Sequence, residues 1–400
     1  MKWASVLECM EAKPTHSAEL NWAAAVEKLA AELESQLEGK PDLLLAFISP
    51  DFKKYFDEIS AALKARLLPA AFIGCSAAGI IGGGLEVEQQ SAISLTAAIL
   101  PGVTINTFHI TNDSLPDPDD APDSWQKLMQ VENSKQPAFV MLCDPFSFKV
   151  DSFIQGLDYA YPRLVKLGGL ASGGHKAGEN RLICDDKVYR SGVVGVGLSG
   201  NIQVDSVVAQ GCRAIGKPSR VTKCDRNLLY ELDGKPVVNV LRDAIERLPD
   251  KEQLAKDAIF LGVAMNEFQD KFVDGDFLVR NIVGIEPMSG ALLVGEVLRS
   301  ERTVQFHIRD AATSREDLRA MLKRYVDKAG AKASGALLFS CLGRGQQLYG
   351  RVNHDSDSFR DFLGEIPLGG FFCNGEIGPV GDSTFLHGYT SSFGIFKEKD

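Results

Sequence analysis

One pattern, strand–turn–helix–strand–glycine cluster–strand, occurs three times in this 400-residue chain and limits the fold more than any other feature. In the first copy an apolar strand at 43–48 is broken by Ser49-Pro50, a helix is expected over 52–67, and a second strand at 71–75 runs into Ser76-Ala-Ala-Gly-Ile-Ile-Gly-Gly-Gly84. A strand at 92–100 closes the copy. The second copy has a strand at 139–143, Asp144-Pro145 aligned with Ser49-Pro50, a helix over 153–161, the cluster Leu167-Gly-Gly-Leu-Ala-Ser-Gly-Gly174 and a closing strand at 192–198. The third has a strand at 336–340, Cys341-Leu-Gly-Arg-Gly345, a helix ending at Leu363, the cluster within Ile366–Gly381 and one closing strand over 384–396. Glycine reaches positive φ and lets backbones approach closely. A strand end opening into such a cluster is a common place for a binding loop.

The mixed order of strands and helices predicts an α/β or α+β fold, with mixed sheets built from these repeated units in two domains. Amphipathic helices are expected at 18–37 and 236–248, and another runs from Ser314 as N-cap to Gly330 as C-terminal cap. Further strands are expected at 260–264, 277–283 and 303–308. A boundary at Leu232-Asp-Gly-Lys235 divides the chain into an extension (1–34), an N-terminal domain (35–232) and a C-terminal domain (233–400).

Charge and cysteine usage exclude several function classes. The net charge is -10 and no Lys/Arg block occurs, so phosphate backbones are not attracted and nucleic acid is not an expected partner. The first residues show no basic region followed by an apolar core, and no apolar run reaches bilayer length. A cytoplasmic protein without a membrane span is therefore expected. Eight cysteines without a Cys-x-x-Cys pair and six scattered histidines point to reduced thiols, with neither a metal site nor a cofactor.

Two nucleotide-like strings fail on context. Gly195-Val-Gly-Leu-Ser-Gly200 lies in a strand followed by another strand, so no helix N-terminus receives a pyrophosphate. Gly211-Cys-Arg-Ala-Ile-Gly-Lys217 matches a P-loop up to its lysine, but Pro218 replaces the magnesium-binding hydroxyl and removes an N–H. Neither a Gly-x-Ser-x-Gly elbow nor a His-Glu-x-x-His helix occurs.

The third copy carries the polar groups suited to a small ligand. Arg344, between two glycines, presents a planar fork to a carboxylate, while Glu376 accepts from an ammonium and Asn374 both donates and accepts. Equally, Arg344 and Glu376 would pair with each other and pin two loops. His387 and Tyr389 are expected on one face of the closing strand, as pocket lining or edge cap. Ser76 is a weaker loop contact. Cys341 and Cys75 stand where strands give way to turns; a thiolate activated there, for example by His387, would define the alternative of a cysteine-dependent enzyme. Small buried thiols are the plainer reading of both.

With these residues in view, the chain resembles the FIST family, which has an N-terminal and a C-terminal FIST domain. The resemblance is carried by Gly74-Cys-Ser-Ala-Ala-Gly79, Gly168-Gly-Leu-Ala-Ser-Gly-Gly174, Gln210-Gly-Cys-Arg-Ala-Ile-Gly-Lys-Pro218, Phe339-Ser-Cys-Leu-Gly-Arg-Gly345, Gly370-Phe-Phe-Cys-Asn-Gly-Glu-Ile-Gly-Pro-Val-Gly381 and Leu386-His-Gly-Tyr-Thr-Ser-Ser-Phe-Gly-Ile-Phe396. It implies a sensory module for small ligands, amino acids among them, often fused to signalling or F-box domains. Here the two domains occupy nearly the whole chain, so output is expected through a separate signalling partner or a change in self-association. The family supplies no established catalytic residues to carry over.

Overall fold

The computed structural model describes residues 1–10, 21–248, 259–267, 269, 271–272, 275–330 and 332–399. The chain packs into two compact units, one made of Met1–Ala209 with Arg319–Asp400 and the other of Gln210–Leu318. This spatial division falls at other points than the sequence boundary near Leu232-Asp-Gly-Lys235, which lies inside the smaller unit.

The elements of the first copy are β1 (Lys2–Met10), α1 (Trp22–Leu37), β2 (Leu43–Ile48), α2 (Phe56–Leu67), β3 (Ala71–Ser76), β4 (Gly79–Gly82), β5 (Leu85–Glu88) and β6 (Ser91–Ile99). The expected start of α1 before residue 21 lies outside the described residues. The second copy has β7 (Val103–Ile110), α3 (Pro122–Met129), β8 (Ala138–Cys143), α4 (Val150–Ala160), β9 (Lys166–Leu170), β10 (Leu182–Cys184), β11 (Lys187–Tyr189) and β12 (Val193–Gly200). Strand β13 (Gln203–Ala209) opens the third.

The smaller unit contributes β14 (Arg213–Asp225), β15 (Leu228–Leu232), β16 (Lys235–Pro236), α5 (Val237–Glu246), β17 (Ile259–Ala264), β18 (Phe277–Ile285), β19 (Leu292–Val294) and β20 (Thr303–Ile308), and α6 (Ala311–Ala329) follows. The third copy then resumes with β21 (Gly335–Cys341), α7 (Gly345–Tyr349), α8 (His354–Leu363), β22 (Leu368–Cys373), β23 (Glu376–Val380), β24 (Ser383–His387) and β25 (Ser391–Lys397).

The larger unit holds three six-stranded sheets of one design, ordered β1-β6-β2-β3-β10-β11, β7-β12-β8-β9-β23-β24 and β13-β25-β21-β22-β4-β5. In each, a parallel pair (β2–β3, β8–β9 or β21–β22) is flanked by the antiparallel closing strand of the same copy. The outer hairpin always belongs to a different copy. The first sheet receives β10–β11 from the second copy, the second sheet receives β23–β24 from the third, and the third sheet receives β4–β5 from the first. Hairpin exchange thus runs once around the three copies and closes.

The strands are apolar on both faces because both faces are covered. Leu45, Phe47, Val140, Leu142, Leu337 and Phe339 point into one central core shared by the three sheets. There Phe371 stacks on Phe47 at 4.9 Å and meets Phe339 edge-on at 5.8 Å. On the outer face α1 and α2 bury Leu29, Leu33, Ile59 and Leu63 in a core shared with β1, β2 and β6. Helix α4 does the same with Phe153, Ile154 and Leu157 against β8.

The glycine clusters differ from the loops expected. Residues 79–82, 166–170 and 368–373 are strands. Glycine is needed there for close approach: a Cβ on Gly74, Gly168 or Gly370 would lie 2.4, 1.9 or 1.9 Å from the carbonyl oxygen of Ala46, Met141 or Leu338. Those three residues hold the same register position opposite their glycines. One serine joins all three copies. The Ser172 hydroxyl accepts from Ala78 N at 2.9 Å and donates to Phe372 O at 2.6 Å.

Two further expectations are corrected. The closing strand at 384–396 is two strands in different sheets, β24 and β25, because the chain turns through Gly388 and Tyr389, whose φ is +66°. His387 and Tyr389 therefore do not share a strand face. Helix α6 starts before Ser314, with Asp310 accepting from Thr313 N at 2.8 Å and so acting as the cap; Ser314 is buried within the helix. The Gly195–Gly200 string lies in β12 and is followed by β13, as the rejection of a dinucleotide site required.

In the smaller unit β14 pairs with both β20 and β15, so β14-β20-β17-β18-β19-β15 form a closed ring with β16 on β15. Pairing with both neighbours needs a bent strand, and β14 is irregular between Ile215 and Ser219. Helix α5 shares one core with the ring through Val237 and Ala244.

Candidate functional site

Strand β21 ends at Cys341, and the chain then turns through Gly343 and Arg344 into α7 and α8. Gly345 takes φ +65°, and a Cβ there would meet the Glu88 carboxylate at 2.3 Å. This turn puts the Arg344 side chain wholly inside the larger unit. Its Nε and Nη2 donate to the two oxygens of Asp355 at 2.8 and 3.1 Å, and its Nη1 reaches Tyr389 O at 3.4 Å. The guanidinium also lies 5.5 Å from the centre of the Tyr349 ring.

Asp355, in the first turn of α8, is the hub. Besides Arg344 it accepts from His354 Nδ1 at 2.8 Å, from Ser340 Oγ at 3.2 Å and from Ser391 Oγ at 2.5 Å. Burial alone would raise its carboxyl, but the Arg344 charge and these donors overcome that and hold it well below the usual carboxylate range. The His354 ring stacks on Tyr349 at 3.4 Å, leaving buried Nε2 with no hydrogen-bond partner among the described residues.

A second carboxyl comes from the exchanged hairpin. Glu86 is buried, its Oε1 accepts from Ser356 N at 2.6 Å, and its Oε2 has no hydrogen-bond partner among the described residues. Burial, and after it the negative charge of Asp355, push its carboxyl up to about 8. Glu88 next to it is half-buried and accepts from Gln346 N at 2.7 Å. Folded Glu86 thus keeps a proton that the unfolded chain has released. Its contribution to stability is complete below the ordinary carboxyl pKa and is lost as pH rises through about 8. Glu86→Gln, which cannot ionise, is expected to match the parent near pH 5 and to exceed it by roughly 2 kcal/mol or more near pH 9. Urea unfolding at the two pH values checks this, and a gap that does not widen with pH counts against it.

The other expected site residues are near but not all in one place. Glu376, wholly buried at the start of β23, accepts from Thr390 N at 3.1 Å. It stands opposite His387, whose Nε2 lies 3.0 Å from Gly378 O. Asn374 is exposed in the turn after β22, with its amide donating to Ala171 O at 2.9 Å. Cys341 is partly exposed and its sulfur accepts from Gly343 N at 3.4 Å. Cys75 is enclosed in the central core, where burial pushes its thiol well above the ordinary range, the opposite of what a nucleophile needs. Ser76 belongs to a separate polar group, bonded to Asn180 Oδ1 at 3.3 Å, with Asn180 in turn donating to Asp144 at 2.9 Å.

Asp355, His354 and Glu86 were not picked out from the sequence. A signal for Asp355 existed: a guanidinium between glycines needs a bidentate acceptor, and an acid follows in the helix eleven residues later. Glu86 gave none, because its partner Ser356 is 270 residues away. Among the described residues no cluster of three or more His, Cys, Asp or Glu could hold a metal ion, and no helix is long and apolar enough to cross a membrane.

The comparisons with known proteins agree along most of the chain. An uncharacterized protein of Mycobacterium tuberculosis is 37% identical over 374 residues, covering 93% of this chain and 96% of that protein. One of Mycobacterium bovis is 35% identical over 375 residues, with 93% and 95% covered. An F-box/LRR-repeat protein of Arabidopsis thaliana is 23% identical over 359 residues, covering 76% of this chain and 66% of that protein. The FIST N domain matches residues 42–235 and the FIST C domain residues 238–379, and the chain therefore belongs to the FIST family, whose domains are associated with signal transduction and small-ligand sensing.

Proposed function

We propose that this protein is a cytosolic sensor of a small zwitterionic metabolite of the amino-acid kind, and that it reports the ligand to a separate signalling partner. The observation that carries the reading is the buried Arg344–Asp355–His354 cluster, with Glu86 beside it, just beyond the carboxyl end of β21. Ligands of α/β sheets gather outside the carboxyl ends of parallel strands, and clusters of perturbed ionisable groups concentrate at functional sites. Eight free cysteines suit a reducing compartment.

Asp355 occupies the Arg344 fork that a ligand carboxylate was expected to fill. A ligand carboxylate would therefore act by exchange, taking the fork from Asp355 and loosening the start of α8. Glu376 or Asn374 would receive the ammonium. The ligand would thereby shift an equilibrium between two arrangements of α8. Calorimetry against the twenty amino acids tests this. At least one should bind, Asp355→Asn should bind it about tenfold more tightly because the internal competitor is weakened, and Arg344→Lys should lose it. Silence across the whole panel, or an affinity that neither variant changes, overturns the proposal.

A further inference from the structure

The string from Gly211 to Lys217, rejected as a P-loop, has a structural role that the cluster above does not use. Between the pairs Ile215↔Phe306 and Ser219↔Val304, three residues of β14 (Gly216, Lys217 and Pro218) stand opposite the single residue Gln305 of β20. Pro218 has no N–H to give to the ladder, so a bulge is where a strand can carry it. Gly216 takes φ +66°, and a Cβ there would sit 3.1 Å from the Ala244 side chain, so α5 lies close over the bulge. The carbonyl of Gly216 is held by the Gln305 amide at 3.2 Å.

The bulge opens a cavity of about 130 Å³ between β14 and α5. Its apolar wall is Ile215, Leu232, Val240, Ala244 and Phe306, and Ser219 also lines it. Ser219 is 5% exposed, and its hydroxyl has no hydrogen-bond partner among the described residues. A buried hydroxyl without a partner is destabilising and uncommon unless something binds it.

The mouth carries Lys217, Lys235 and Arg247 against Asp233 and Asp243, three positive and two negative charges, for a net charge of +1. Asp233 is already engaged, accepting from Arg220 N at 2.9 Å and lying 3.9 Å from Lys217. The side chains of Lys235 and Arg247, both exposed, have no ion-pair or hydrogen-bond partner among the described residues. The volume is several times that of one liquid water, roughly 30 Å³, so the cavity has room for a small organic molecule.

We propose that this cavity of the smaller unit binds a short aliphatic carboxylate bearing one further oxygen, such as a 2-oxo acid of five or six carbons. The carboxylate meets Lys235 and Arg247 at the mouth, the hydrocarbon lies on Ile215, Leu232 and Phe306, and the second oxygen takes the Ser219 hydroxyl. Net positive charge at the mouth favours an anion over a zwitterion, so this site differs in ligand class from the one proposed for the larger unit.

Titration calorimetry with 4-methyl-2-oxopentanoate on the full chain tests the site, with leucine and inorganic phosphate as comparison ligands. The oxo acid is expected to bind, the double variant Lys235→Gln/Arg247→Gln to weaken it at least about tenfold, and Ser219→Ala to weaken it without lowering the melting temperature. The two exposed cations lie on the surface, so their loss tests binding without threatening the fold. Binding of phosphate as tight as that of the oxo acid means a general anion patch and overturns the proposal. So does leucine binding as tightly, the absence of heat with the oxo acid at 10 millimolar (about the weakest useful affinity), or binding that survives both variants. Arg344→Lys should leave oxo-acid binding unchanged, which keeps the two sites' tests apart.

Discussion

Replacing Arg344 with alanine is expected to lower the unfolding free energy by about 3–5 kcal/mol, since it strands a buried carboxylate. The cost comes less from the lost attraction than from what remains. Asp355 would still be enclosed, with His354, Ser340 and Ser391 left to donate to its charge. Replacing both partners by apolar residues of similar volume, Arg344→Met with Asp355→Leu, should therefore recover much of the loss. The Asp355 carboxyl is held low in the folded state, so its favourable contribution is present above the ordinary carboxylate pKa and disappears as pH falls through the depressed value. Urea unfolding near neutral pH reads both variants. A loss below about 1 kcal/mol for Arg344→Ala would mean that Asp355 is not the hub.

The second large effect belongs to Gly370→Ala. The φ of Gly370 is +145°, and a Cβ would lie 1.9 Å from Leu338 O on the parallel neighbour β21. Backbone strain of about 1–3 kcal/mol adds to a steric overlap of about 1–3 kcal/mol, because neither strand can retreat from a ladder bonded on both sides. A combined loss of roughly 2–6 kcal/mol is expected. Gly381 is the internal control: its φ is also positive, at +60°, but a Cβ there meets nothing within 4 Å. Gly381→Ala should cost only about 1 kcal/mol from backbone conformation. Thermal unfolding of the two variants side by side decides the matter, and equal losses would refute the close-contact argument.

What was legible in the sequence was local. Apolar runs and their breakers placed β2 and β21 to within a residue, since both faces of these strands are buried and their hydrophobic runs are continuous, and placed the end of α2 but not its start, which lies four residues later than expected. The glycine clusters read as loops at strand ends, whereas Gly168 and Gly370 lie within strands and use glycine's other property, close backbone approach; composition cannot separate the two uses. The run from 384 to 396 looked like one strand because the only interruption is Gly388 with Tyr389, and positive φ at a tyrosine carries no sequence mark.

At the candidate site, Arg344 and the position of its turn were recognisable, but its partner was not. The short helix α7 and the turn after it separate Arg344 from Asp355, and only the packing of α7 and α8 brings the carboxylate back to the fork. Glu86 was beyond reach for a plainer reason. It arrives on a hairpin lent by another copy, and no periodicity in one segment announces which distant edge it will join.

That lending has a consequence for how the chain comes into being. The hairpin from Gly79 to Glu88 leaves the ribosome well before the edge it joins, Leu368–Cys373. Until then β4–β5 can form only as an isolated hairpin, which is marginal in water, and the Glu86 carboxyl has no helix to meet. Closure of the three-sheet unit is thus postponed until Leu368–Cys373 has emerged, and until then the nascent chain carries an open, apolar sheet edge. The same edge makes chains cut before Leu368 candidates for pairing with one another.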